Sequence, residues 1–291
     1  NYFGPDEIFS DKPKYNAVMQ INEDLILPIR HRIDHEISSL PPNLKRAIYA
    51  FLISTAIRLI KGHSTQHHSM MINVSRFVRI QSEIKGVTNH FVNNEIAPAI
   101  ENHSFKPIKE ALKNPIIHEI YSVWNEDYDL EAYDWEKIQL KLYDVMFTEN
   151  AELKVIEVNG SPTSEPLDYS EKSYPVGRRV IAIGGQSLAR GFTLEGLSVS
   201  YFMRNSRMYD TLMQMARWFG YRIDYEEVCK IYTTTSTFNW YSHIAAVLDE
   251  LRSDLLRMKK LGGTPSNFGL AVRSHPTALL VTPRNKMRTG T

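Results

Sequence analysis

Two arginine-bearing stretches hold the residue types from which chemistry could be built. In the first, Val180-Ile181-Ala182-Ile183 reads as a strand, Gly184-Gly185 breaks it, and Arg190-Gly191 follows in a polar loop. Glycines at such a turn let a backbone approach phosphates closely. No Gly-Lys-Ser/Thr follows at the required spacing, so this is not a P-loop. In the second, residues 209–219 read as a helix, and Gln214, Arg217 and Arg222 lie at its end. An arginine presented there can reach across a cleft and stabilise the charge of phosphoryl transfer.

Each has a plainer counterpart. Arg217 and Arg222 could form a surface or interdomain salt bridge, Arg190-Gly191 a simple turn, and Gln214 a solvent-facing helix residue. Trp218, Phe219 and Tyr221 read as packing groups rather than base-stacking ones. His63 and His67 have helical i,i+4 spacing beside His68. With no third ligand and no His-Glu-x-x-His motif, no metal site is assigned. Asp144 followed by Glu152-Leu153-Lys154 has the order of a metal-dependent nuclease centre; its plainer reading is a solvated strand start.

The elements that must position these residues follow from hydrophobic pattern. Pro41-Pro42 opens a helix running to about Leu59. Residues 69–75 form a short apolar run that reads as a buried strand, and residues 76–143 are mostly helical. Strands are expected at 153–159, 179–183, 197–202 and 228–233, and a long amphipathic helix at 237–260. Short buried strands alternating with helices predict an α/β fold, a mostly parallel sheet covered on both faces. Residues 45–75 and 150–235 would make the core lobe. Residues 1–44 read as a lead-in, 76–149 as a helical insertion, and 236–291 as a C-terminal helix and extension.

Bulk properties fit a soluble globular protein: 43% hydrophobic and 23% charged residues, with a formal net charge of +1. That balance neither announces nor excludes a nucleic-acid binder. Cys229 is the single cysteine, which excludes an internal disulfide and fits a reducing cytoplasm. No apolar run approaches the length of a membrane span. The chain lacks an initiator Met and stops without a closing element, so it reads as a piece of a longer protein. The positions Arg273, His275, Arg284, Lys286 and Arg288 make the tail basic.

Together, the Arg-Gly segment after a strand and the Gln214–Arg222 segment resemble motifs V and VI of superfamily 2 helicases. Three departures stand out. Gln214 to Arg217 is one residue shorter than the helicase spacing, Arg217 to Arg222 is two longer, and Ala216 replaces the usual Gly. The wording is closer still to the Z1 domain family, linked to superfamily 2 helicase modules and suggested to include endonucleases. That likeness rests on residues 69–77, 187–202 and 209–222. It implies the second RecA-like lobe of an ATPase, with ATP and Mg shared with a first RecA-like lobe and DNA as the track. Arg222, ahead of Arg217, would act as the finger with Gln214 beside it. Gly184, Gly185, Arg190 and Gly191 would couple nucleotide to nucleic acid, and Ser75 and Arg76 would meet a backbone phosphate. A restriction or defence setting is implied. The rivals are a metal-dependent endonuclease domain and a non-catalytic interaction domain on the same frame.

Overall fold

The computed structural model describes residues 2–22, 26–129, 131–159, 166–189, 193–203 and 209–262. Six strands form one sheet: β1 (Val18–Ile21), β2 (His68–Asn73), β3 (Lys154–Val158), β4 (Arg179–Gly184), β5 (Leu197–Phe202) and β6 (Lys230–Thr234). Every pairing is parallel, and the order is β1-β6-β5-β2-β4-β3. Every residue of β2, β4 and β5 is buried. Strands covered on both faces show this as near-continuous apolar runs, which is why pattern alone found them. The architecture is RecA-like α/β.

Six helices matter to the argument: α1 (Pro42–Ile60), α2 (Val78–His90), α3 (Pro115–Asp127), α4 (Trp135–Phe147), α5 (Tyr209–Met215) and α6 (Thr235–Lys260). From Ala47 to Leu59 every residue of α1 is buried, polar Ser54, Thr55 and Arg58 included. A helix apolar all round must be covered all round. The sheet lies against it at β2, β5 and β6, while α3 and α4 pack on it as well. Helix α2 lies on β3 and β4, and α6 on β1 and β6.

Two segments do more than their sequence suggested. The lead-in supplies edge strand β1, paired with β6 from Val18↔Ile231 to Ile21↔Thr234, and Tyr2–Phe3 pairs antiparallel with Gly220–Tyr221. The helical stretch 76–149 is built into the lobe, since α2 covers the sheet and α4 covers α1. Among the described residues, no helix is long and apolar enough to cross a membrane.

The chain runs from central β2 to β3 and β4 on one side, then crosses to form β5 and β6 on the other. The carboxyl ends of β2, β4 and β5 flank that reversal. In open parallel sheets, ligands bind in the crevice at such a switch point.

Candidate functional site

At the carboxyl edge, three strand ends are tied together through Asn73. Its Nδ2 donates to the Gly185 carbonyl at 3.2 Å, and its own carbonyl accepts from the Met203 N–H at 3.2 Å. Two residues on, the Ser75 hydroxyl is almost wholly buried and sits 2.8 Å from His31 Nε2. His31 Nδ1 lies 2.8 Å from the Pro28 carbonyl. A carbonyl only accepts, so Nδ1 carries the proton and Ser75 Oγ–H donates to Nε2. The same oxygen accepts from the Phe77 N–H at 3.0 Å. Gln81 Nε2 donates to the Ser75 carbonyl at 3.0 Å. Arg76 is exposed, with its guanidinium 4.8 Å from the Phe77 ring centre.

Packing gives Gly184 and Gly185 a reason that involves no phosphate. A Cβ on Gly184 would sit 2.4 Å from the Val158 carbonyl oxygen. One on Gly185 would sit 2.6 Å from Gln81 Nε2 and 2.9 Å from the Ser75 carbonyl oxygen. The pair lets β4 end flush against β3 and the Ser75 turn. Arg190 and Gly191 lie outside the described residues, as does the basic tail.

Helix α5 stops at Met215, shorter than its pattern suggested, and the Arg217 N–H turns back to the Met215 carbonyl at 2.8 Å. Gln214 is exposed on the last helical turn, and Arg217 is half-buried in the turn that follows. Arg222, the arginine favoured as the finger, sits in a closed environment. Its guanidinium is buried and donates to the carbonyls of Tyr221 (3.1 Å), Arg217 (3.0 Å) and Trp218 (3.3 Å). Tyr225 lies near it, with its ring centre 4.0 Å from the Arg58 guanidinium. Arg58 in turn donates to the Gly196 carbonyl, just before β5. Arg222 therefore clasps its own loop, beside Tyr225 and Arg58.

The amino-terminal side of the sheet is rich in buried cations holding carbonyls. Arg178 donates to Asp168 O at 2.7 Å and Pro166 O at 3.3 Å. Arg179 donates to the carbonyls of Asp144 and Val145, and Lys230 Nζ to Asn16 O at 2.9 Å. Burial pulls Arg179 down to about 10 and Lys230 to about 8. The histidines share this edge. The His67 Nδ1 accepts from the Arg178 N–H at 3.0 Å, and His68 Nε2 lies 3.1 Å from the His63 carbonyl. Burial, then nearby arginine charge, holds His68 well below the usual histidine value and lowers His63. Burial lowers His67 too, against the pull of Glu195. Among the described residues, no group of three or more His, Cys, Asp or Glu could hold a metal.

The nuclease-like trio does not line one groove. Asp144 pairs with Lys141 at 2.6 Å. Glu152 and Lys154 line a groove of about 640 Å³ with Ser82, Lys85 and Asn89, and Asp144 is not part of its wall. Sequence reading missed His31 and Gln81, whose partners lie 44 and 6 residues away. It also missed Asn73, although a lone amide closing the run Met70-Met71-Ile72 was a visible signal.

A family model describing the Z1 domain matches residues 43–280. The chain belongs to the Z1 domain family. The Z1 match opens in the first turn of α1, takes in β2 to β6 and includes the 76–149 stretch. Strand β1 and the His31 segment precede it. No curated protein and no solved structure matches the chain.

Proposed function

We propose that this Z1 domain is the second motor lobe of a superfamily 2 helicase-type ATPase acting on DNA, in a restriction- or defence-type protein. The observation that carries the reading is the strand order. It brings the ends of β2, β4 and β5 to one switch point, with Ser75-Arg76 after the first and the Gly184-Gly185 turn after the second. ATP and Mg would be held jointly with a first RecA-like lobe, which would provide the phosphate cradle and the carboxylates for the metal.

The residues here fit a lobe that completes such a site. Gly184 and Gly185 close on their own chain, so their contribution is to shape the strand end and lead into Arg190-Gly191. Arg217, outside the helix and half-buried, is the arginine of the pair that takes the finger role. Gln214 would stand beside it. When bound, the nucleotide would supply the phosphoryl chemistry, and Arg217 would stabilise charge on the transferring group.

The test is DNA-stimulated ATPase by the full protein carrying this domain, for wild type, Arg217→Ala and Arg222→Ala. Loss of an arginine finger costs about 10³-fold or more in turnover, and that loss is expected for Arg217→Ala. Unchanged ATPase in both variants would favour the non-catalytic interaction domain instead. Steady turnover by these 291 residues alone would also sink the reading.

A further inference from the structure

We propose that residues 27–37 form a second wall of the polynucleotide track, with Arg30 and Arg32 meeting backbone phosphates alongside Arg76. This rests on the nucleic-acid reading above and extends it to a segment outside the matched family region.

Three hydrogen bonds staple the segment to the end of β2 and the start of α2. Ser75 Oγ–H donates to His31 Nε2 at 2.8 Å, Arg79 Nη1 donates to the Ile33 carbonyl at 3.0 Å, and the Ile37 N–H donates to Glu83 Oε2 at 3.0 Å. A fourth contact, His35 Nε2 with the Ile26 carbonyl at 2.8 Å, closes the segment on itself. The His31 ring meets Phe77 edge-on at 6.0 Å, and Phe77 carries the Arg76 guanidinium on its other contact. His31 is thus a positioning residue that fixes its two neighbours near Arg76.

Arg30 and Arg32 flank His31 and are exposed, as is Arg76. Among the described residues none of the three is in an ion pair. The nearest carboxylate on α2 is already engaged, since Glu83 holds Arg79 at 2.9 Å and the Ile37 N–H. Asp34 and Glu36 are exposed on the same segment, so its net charge is small. What distinguishes the arginines is placement: hydrated guanidinium groups, held by a stapled backbone, next to the crevice of the switch point. Guanidinium forks match phosphate oxygens in pairs, and such contacts position a nucleic acid without reading its sequence.

The experiment measures binding of labelled single-stranded and duplex DNA across a salt series. It compares wild type, Arg30→Ala/Arg32→Ala, Arg30→Lys/Arg32→Lys and Arg76→Ala. The double alanine variant should bind about 10-fold or more weakly. Its log–log salt slope should shrink by about 1.4 on single strands and about 1.8 on duplex, for two phosphate contacts. The lysine pair should keep most of the slope, and all variants should melt like wild type because the changed side chains are exposed. If Arg76→Ala weakens binding while the double alanine variant matches wild type, the second wall is wrong and the nucleic-acid reading stands. A lysine pair as defective as the alanine pair would also overturn the wall. If wild type shows no DNA affinity, both ideas fall.

Discussion

The two edges of the parallel sheet use the same side chain in opposite ways. On the amino-terminal side, Arg58, Arg178 and Arg179 are buried and clasp backbone carbonyls, as buried Arg222 does in its own loop. On the carboxyl side, Arg30, Arg32 and Arg76 keep their heads in water. A buried guanidinium needs acceptors for five N–H groups. Carbonyls meet part of that need without a second buried charge, and the arrangement closes loops that have little regular structure. An exposed guanidinium has no such obligation and is free to exchange water for a phosphate. If the proposed function holds, arginine count says little about nucleic-acid binding, and which edge carries the arginine says much more.

The comparison can be broken by showing that amino-edge residues govern activity or that carboxyl-edge residues govern folding. Gly196→Ala is expected to have the largest effect. Its φ is +65°, and a Cβ would sit 1.7 Å from the His67 carbonyl oxygen. A cost of about 4 kcal/mol or more is expected from combined strain and overpacking, read by chemical denaturation. Arg58→Ala follows, at about 3 kcal/mol. It takes one of two donors from the Gly196 carbonyl, which keeps the Ser69 N–H, leaves Gln66 Oε1 without its arginine donor and opens a cavity. DNA affinity of the surviving folded fraction should match wild type; a selective loss of affinity would contradict the division between edges. Arg222→Ala should cost about 2 kcal/mol for three lost carbonyl contacts. The remaining folded protein should retain its ATPase, in contrast to Arg217→Ala.

A pH series sharpens the contrast further. His63, His67 and His68 have folded values below the usual 6.5. As pH falls through that value the unfolded chain gains protons that the folded chain refuses. Stability is therefore lost on acidification, by up to about 1.4 kcal/mol per pH unit for buried His68 and by less for the more exposed and better screened His63 and His67. His68→Gln should flatten the melting-temperature slope between pH 7 and pH 5, and an unchanged slope would remove His68 from the account. The smallest effect belongs to Ser75→Ala on the carboxyl edge, about 1 kcal/mol for one hydroxyl contact to His31 and one from Phe77. Its change in DNA affinity should exceed its change in stability.

Much of the frame was legible before any coordinates. The runs around Met70, Ile181 and Val199 lie in strands buried on both faces, and continuous apolar character is the local signature of that environment. The long helix after Thr234 was legible for a similar reason, with its N-cap threonine and its Gly262 end. Strand β1 was not legible. Its four residues include Gln20, and only pairing with β6, more than two hundred residues on, makes a strand of them.

The site divides along the same line. Sequence by itself determined the fold class, the Z1 likeness and the neighbourhoods of Ser75, Gly184 and Arg217, because each depends on residues close together in the chain. Tertiary structure alone decided which arginine is bound up in its own loop, why Gly185 must lack a side chain, and that His31 reaches Ser75. Those outcomes depend on distances between segments far apart in sequence. Neither residue propensity nor spacing along the chain encodes such distances until the sheet order brings the segments together.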